Sequence, residues 1–193
     1  MRWLYSDAVF RKENDSKTVF LTFDDGPSPK ATPTALEILR EHGVKATFFL
    51  LGKRAEEQPE IVAQIREEGH QVANHGYRHL SGWTTSLSVY VENTLLGKKA
   101  VNSGIFRPPY GTLGYLQYLK LKRTEKIVFW DVLSGDHDTT LSPEAVYKNV
   151  VNNVRNGSVI VMHDSDKALP NVKNSLGRII VELKNRGYNL DTL

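Results

Sequence analysis

The sequence predicts an α/β fold, a distorted (β/α) barrel of about seven parallel strands with helices outside. Three observations predict it. Short apolar runs alternate with helical patterns from residue 18 to the C-terminus, as in strands joined by crossover helices. Several strand segments are continuous apolar runs rather than alternating ones, which is expected where helices cover both faces of a sheet. The chemically suggestive residues Asp24, Asp25, His75, His79, Arg107, Asp136 and His163 each follow a strand at its C-terminal end, the rim where barrels of this type gather their active sites. The alternation by itself also allows an open doubly wound sheet.

Each element has a local reason. Thr18 to Phe23 (TVFLTF) reads as a buried strand, closed by Asp24-Asp25-Gly26-Pro27. Thr32 to His42 reads as a helix with Leu36, Ile38 and Leu39 toward the core, and Gly43 ends it. Lys45 to Leu51 (KATFFLL) is the second strand. Pro59 to Glu68 carries Ile61, Val62 and Ile65 at helical spacing and stops at Gly69. Gln71 to Asn74 is a short third strand, and Ser86 to Val101 a helix. A strand begins at Phe106, Leu113 to Leu121 is helical, and Ile127 to Trp130 is the next strand. Pro143 opens a helix running to Val154, where its missing N–H costs nothing. Ser158 to Met162 (SVIVM) is a strand that ends at His163. Val172 to Asn185 is a helix with Leu176, Ile179, Ile180 and Leu183 on one face, and Tyr188 to Leu193 is a last short strand.

Composition narrows the function. At 193 residues the chain fits one large domain, with residues 1–17 as an N-terminal extension and 18–193 as the domain proper. The net charge is +3 with a pI of about 9.0, but Lys and Arg are interspersed with Asp and Glu, which argues against nucleic acid as partner. The absence of cysteine excludes disulfides and thiolate-bound metals. The longest apolar run, around Phe48 to Leu51, is too short to span a bilayer. No signal peptide is legible at Met1 to Asp7. The expectation is a cytoplasmic protein as written, or an extracytoplasmic one if an export signal stood ahead of it. Oligomeric state is not legible.

Two histidines four residues apart, His75 and His79, follow the acidic pair Asp24-Asp25 by some fifty residues. Placed on one helical turn, the two rings would share a face. Two imidazoles and a carboxylate hold a divalent metal with positions left open, and a second carboxylate beside them can act as a base. Adjacent Asp residues on an extended segment point to opposite faces, so a bend at Gly26-Pro27 is needed to bring both to one site. His163 is a candidate general acid and Asp136 a group to orient its ring and raise its pKa. Arg107 is a candidate to hold a carboxylate, and Tyr110 offers a backbone N–H to an oxyanion. Against these stand ordinary roles: a turn for Asp24 and Asp25, surface or cap histidines with Asn74 as cap, and a satisfied strand-end His163. Trp3, Trp83 and Trp130 are core candidates first. Trp83, in a polar stretch, is the best of them for a groove wall, together with His137 and Val161.

These motifs, in this order, resemble the polysaccharide deacetylase family (carbohydrate esterase family 4, the NodB homology domain). The resemblance rests on Thr22 to Pro27 (TFDDGP), His75 to His79 (HGYRH), Arg107 to Tyr110 (RPPY) and Ile160 to Asp164 (IVMHD), with Gly43 to Phe49 (GVKATFF) in support. It implies Asp24 as general base and Asp25, His75 and His79 as ligands of a divalent metal, zinc foremost, with cobalt or nickel as alternatives. It implies Arg107 as tether of Asp24, Tyr110 as oxyanion contact, His163 as general acid, and Asp136 as support for Arg107 or His163. It implies an N-acetylated oligo- or polysaccharide of the chitooligosaccharide or peptidoglycan type as substrate. Three positions depart from the family pattern: Gly76 replaces a hydroxyl residue, Leu133 an Asp, and His137 a groove-wall Trp. The departures keep open a metal-dependent amidase or O-acetyl esterase on another substrate. A non-heme iron oxygenase also uses two His and a carboxylate, but leaves no task for Asp24 or His163. A non-catalytic saccharide-binding domain would not need all these groups intact.

Overall fold

The computed structural model describes residues 4–12 and 16–193. In chain order the strands and helices are β1 (Thr18–Asp24), α1 (Ala31–Glu41), β2 (Thr47–Leu50), α2 (Gly52–Glu57), α3 (Pro59–Glu67), β3 (Gln71–Asn74), α4 (Leu87–Val101), β4 (Ile105–Phe106), α5 (Tyr115–Leu121), β5 (Lys126–Ile127), β6 (Val132–Leu133), α6 (Pro143–Val151), β7 (Val159–His163), α7 (Leu169–Asn185) and β8 (Asn189–Asp191). A 3-10 turn at Pro109–Gly111 precedes α5. Seven strands run in the order β5-β4-β3-β2-β1-β7-β6, with the short β8 also paired to β1. Every pairing is parallel. The result is a curled half-barrel, as the alternation predicts.

All seven residues of β1 are buried, which explains why this strand reads as a continuous apolar run. Helices α1, α3 and α7 cover one face of the sheet, where Leu36, Leu39, Ile65, Ile179 and Leu183 pack on Leu21, Phe23 and Phe48. Ile38, expected in that core, is only partly buried at its margin. A second cluster gathers Tyr5, Tyr90, Phe106, Tyr118 and Phe129. Among the described residues β5 and β6 do not pair with each other. Instead the segment before β1 reaches across: Val9 bridges Val128, and Arg11 bridges Ser158. The same segment sends Tyr5 and Phe10 to stack on Phe129.

Several local expectations are corrected. The strand expected over Ile127 to Trp130 is Lys126–Ile127, and a separate pair, Val132–Leu133, forms β6. Helix α5 starts at Tyr115 rather than Leu113, α6 stops at Val151 rather than Val154, and α7 begins earlier, at Leu169. Helix α2 was not foreseen, because six residues reading GKRAEE carry no apolar period. Trp3 lies outside the described residues. Among the described residues, no helix is long and apolar enough to cross a membrane.

Candidate active site

The register of the sheet sets the site. Asp24 ends β1 and is the register partner of His163, which ends β7. Parallel neighbours stand about 4.8 Å apart, so the carboxylate and the imidazole come to one level of the rim. On the other side of β1, β2 pairs with β3, whose last residue Asn74 is followed by His75. Asn74 pairs with Phe106, the residue before Arg107.

Asp24 is almost fully buried, and so is Arg107. The guanidinium Nη1 donates to Asp24 Oδ1 at 2.7 Å and to Thr22 Oγ1 at 2.7 Å. Its other nitrogens donate to the carbonyls of Val128 and Phe129, and its plane lies 4.0 Å over the Phe49 ring. An arginine buried this deeply is stable only when its donors are matched. Here four hydrogen bonds answer them, and they fix Asp24 in place.

Asp25 turns the other way because its backbone adopts φ 78°, a left-handed conformation that costs a non-glycine residue of order 1 kcal/mol or more. The turn is pinned on all sides. Asp164 N donates to the Asp24 carbonyl and Arg54 Nη1 to the Asp25 carbonyl. Gly26 N donates to Asp164 Oδ1, and Leu51 N to the Gly26 carbonyl. Asp164 also accepts from Thr32 Oγ1 at 2.6 Å, and burial pushes its carboxyl up to about 7.

The bend brings Asp25 Oδ1 to 3.6 Å from His75 Nε2 and 3.1 Å from His79 Nε2. The expectation that the two histidines share a helical turn is not met. They sit on a loop after β3, shaped by Gly76 at φ 83°, and Asn74 caps no helix; its Oδ1 accepts from Gly76 N. Helix α4 presses on this loop through Gly97, where a Cβ would fall 2.4 Å from Asn74 Oδ1. Asn93 of the same helix brackets Arg78, accepting from its N–H at 2.8 Å and donating to its carbonyl at 2.9 Å. An Asn93→Leu variant leaves both groups unpaired, at a cost of about 1–3 kcal/mol. Its expected result in a cation-binding titration is an affinity lower by roughly 10–100-fold, as for other supports of metal ligands.

These three side chains fit a divalent cation. Asp25 Oδ1 is buried with no hydrogen-bond partner, although two ring nitrogens stand near it. Ligand atoms around a tetrahedral ion with bonds of about 2.0–2.1 Å stand about 3.3 Å apart, and the two distances straddle that value. Arg107 O lies 2.9 Å from His75 Nδ1, so that nitrogen carries the proton and Nε2 keeps its lone pair for the cluster. Burial pushes His75 down to about 4, so its ring is neutral. Burial would raise the Asp25 carboxyl, but His79 and His75 outweigh it and hold it well below the usual carboxylate range.

His163 Nδ1 and backbone N both meet Asp136 at 2.7 Å. Burial lowers the ring's proton affinity, but the Asp136 carboxylate more than offsets it and lifts His163 to about 9. Of the two supports foreseen for Asp136, its side-chain contacts go to His163 and Ser134, not to Arg107. Tyr110 sits in the 3-10 turn at φ 59°, with its ring edge-on to His79 at 4.2 Å.

A cavity of about 480 Å³ collects Asp24, Asp25, His75, His79, Tyr110 and His163. His137 and Val161 wall it as expected. Trp83 does not: it is 70% exposed, in neither the core nor the cavity wall. Trp130, expected in the core, lines the cavity with Leu133, which the sequence marks only as a departure from the family pattern, and with Ser165 and Lys167, which no motif marks. Leu133 is the last residue of β6, Trp130 lies on the segment between β5 and β6, and Ser165 and Lys167 follow β7. A larger depression of about 820 Å³ on the outside of α4, with Leu87, Leu95 and Leu96, has no converging catalytic groups.

Fold and rim together define a class: parallel half-barrels with an aspartate–bis-histidine cluster, a buried Asp–Arg pair and an Asp–His pair at the mouth. The polysaccharide deacetylase family model matches residues 11–124. A peptidoglycan-N-acetylglucosamine deacetylase of Bacillus cereus is 32% identical over 93% of this chain and 88% of its own length. A chitooligosaccharide deacetylase of Sinorhizobium fredii is 30% identical over 98% of this chain and 96% of its own. The crystal structure of the Bc1960 peptidoglycan N-acetylglucosamine deacetylase, in complex with a naphthyl-substituted N-hydroxybenzamide, superposes with a TM-score of 0.93. It shares 34% identity and covers 99% of this chain and 93% of that one. The chain belongs to the polysaccharide deacetylase family.

Proposed function

We propose that this protein hydrolyses the acetamide of an N-acetylated amino sugar within a peptidoglycan- or chitin-type saccharide, releasing acetate and leaving a free amine. One observation carries the reading: a single cavity is lined by the Asp25–His75–His79 cluster, by Asp24 and by His163, with Arg107 and Asp136 buried behind the last two as their ion-pair partners. Two imidazoles and one carboxylate suit zinc, cobalt or nickel better than magnesium or calcium. When bound, such a cation supplies Lewis-acid polarisation of the carbonyl and a lowered water pKa.

The chain's own groups divide the proton transfers. Asp24, held by Arg107, takes a proton from the attacking water. The backbone N–H of Tyr110, on the turn that lines the cavity, would serve as donor to the oxygen that gains negative charge. His163 donates a proton to the departing nitrogen, because an amide nitrogen leaves poorly without one. Asp136 fixes Nδ1, so that Nε2 is the donor atom. Because His163 acts protonated and titrates at about 9, kcat/KM is expected to fall as pH rises through about 9. A His163→Gln variant should lack that limb. A wild-type profile that stays flat beyond this region would remove His163 from the acid role.

The direct test is acetate release from a panel of chitooligosaccharides, peptidoglycan fragments, small amides and O-acetyl esters. It is run with zinc and after chelation. The reading expects release from N-acetylated saccharides that chelation abolishes. Turnover confined to small amides or to esters would replace it.

A further inference from the structure

His137 and His163 in the cavity wall, with the buried Asp136 behind them, form a second set of side chains with the donor atoms to hold a cation, a use the proposed reaction does not make of them. Asp136, His137 and His163 each bring one ligand-type atom within 4.8 Å of the others. Asp136 Oδ1 stands 2.7 Å from His163 Nδ1 and 3.9 Å from His137 Nδ1. The two rings lie edge to face at 4.6 Å. Asp136 itself is wholly buried and held by Ser134 Oγ and the His163 backbone N–H. The separations lie on either side of the value of about 3.3 Å expected around a tetrahedral ion, more widely than at the Asp25 cluster, and the shorter one is a hydrogen bond that the cation would replace.

His137 supplies an independent observation. Its Nδ1 is buried and has no hydrogen-bond partner. A buried, unanswered polar atom costs about 1–3 kcal/mol. The nearest carboxylate oxygen, at 3.9 Å, is too far for a hydrogen bond. A cation seated between the nitrogen and the carboxylate would answer the nitrogen, with Asp136 Oδ1 as a further ligand.

We propose that Asp136, His137 and His163 form a second, weaker site for a divalent cation of the zinc, cobalt or nickel type, and that filling it inhibits the enzyme. The cation takes the place of the proton shared by His163 Nδ1 and Asp136 Oδ1, and that proton leaves to solvent. Coordinated through Nδ1, the ring keeps only its Nε2 proton. Giving that proton up would leave an anionic imidazolate, so the ring no longer serves as an acid. The second site is weaker because one ligand must surrender a 2.7 Å hydrogen bond. The binding half of the proposal stands without the proposed reaction, and the inhibitory half rests on it.

The test is a cobalt titration of metal-free protein, followed by visible absorption and equilibrium dialysis, with acetate release measured in parallel. Wild type should bind two equivalents, the second at least tenfold more weakly, and acetate release should fall at least fivefold as the second fills. His137→Ala and His137→Phe should keep the first equivalent, which also shows that they fold. Both should lose the second and the fall in rate. A single equivalent in wild type, or a second equivalent that persists unchanged in both variants, overturns the site. A second equivalent that fills without slowing acetate release overturns the inhibitory role. If no metal supports acetate release at all, the proposed reaction fails while the two-equivalent result still decides the site.

Discussion

An Asp24→Asn variant is expected to turn over roughly 100-fold or more slowly than wild type, the scale of losing a general base. The substitution keeps the side chain's shape, and the amide oxygen can still accept from Arg107 Nη1. The negative charge and the proton-accepting ability go. Asp24 is not among the three atoms that converge on the Asp25 cluster, so cation affinity should be retained. Measured together, kcat and bound metal separate loss of a base from loss of the cation. Near-wild-type turnover with the cation bound would show that another group takes the proton. Asp24 and His163 serve one reaction cycle, so a double variant should lose little more than the worse single variant.

Arg107→Met is expected to destabilise the fold by about 3–5 kcal/mol, because it strands a buried carboxylate. Asp24 is 3% exposed, and Arg107 is its ion-pair partner. The substitution also removes the donors to the Val128 and Phe129 carbonyls and the stacking on Phe49. For a chain of this size the loss corresponds to a fall in Tm of roughly 6–20 °C. The double variant Arg107→Met/Asp24→Leu should recover part of it, since removing both charges leaves none stranded. Recovery is incomplete because the two carbonyls remain without their arginine. A single variant that melts with wild type would mean that the pair contributes nothing to holding the rim together.

The sheet was legible because its geometry forces a sequence pattern. Strands buried on both faces are mostly apolar, and β1 carries Val19, Phe20, Leu21 and Phe23 among its seven buried residues. Charged and imidazole side chains are therefore pushed to strand ends, which makes Asp24, His75, Arg107 and His163 legible in the sequence, while a small hydroxyl such as Thr22 is tolerated inside β1 because it is hydrogen-bonded. The loop carrying His75 and His79 was misread because spacing of four also fits a helical turn. Gly76 was the contrary signal, a residue suited to the left-handed backbone found there. The walls were the least legible part. Trp130 and Lys167 reach the cavity through loop paths set by tertiary packing, and Leu133 ends a strand of two residues, too short to show a period. Trp83 has the composition of a groove residue, but its loop is tied instead to Thr112 and Gln117, and its ring projects into solvent.

The most direct measurement is cation binding by equilibrium dialysis to the wild-type protein and to Asp25→Ala, His75→Ala and His79→Ala. Convergence of the three side chains on one ion predicts one tightly held cation per wild-type chain. It predicts an affinity loss in each variant of more than roughly 100-fold, beyond that typical for an outer-shell partner. Any of the three variants binding the cation as tightly as wild type, while folded, would contradict that convergence.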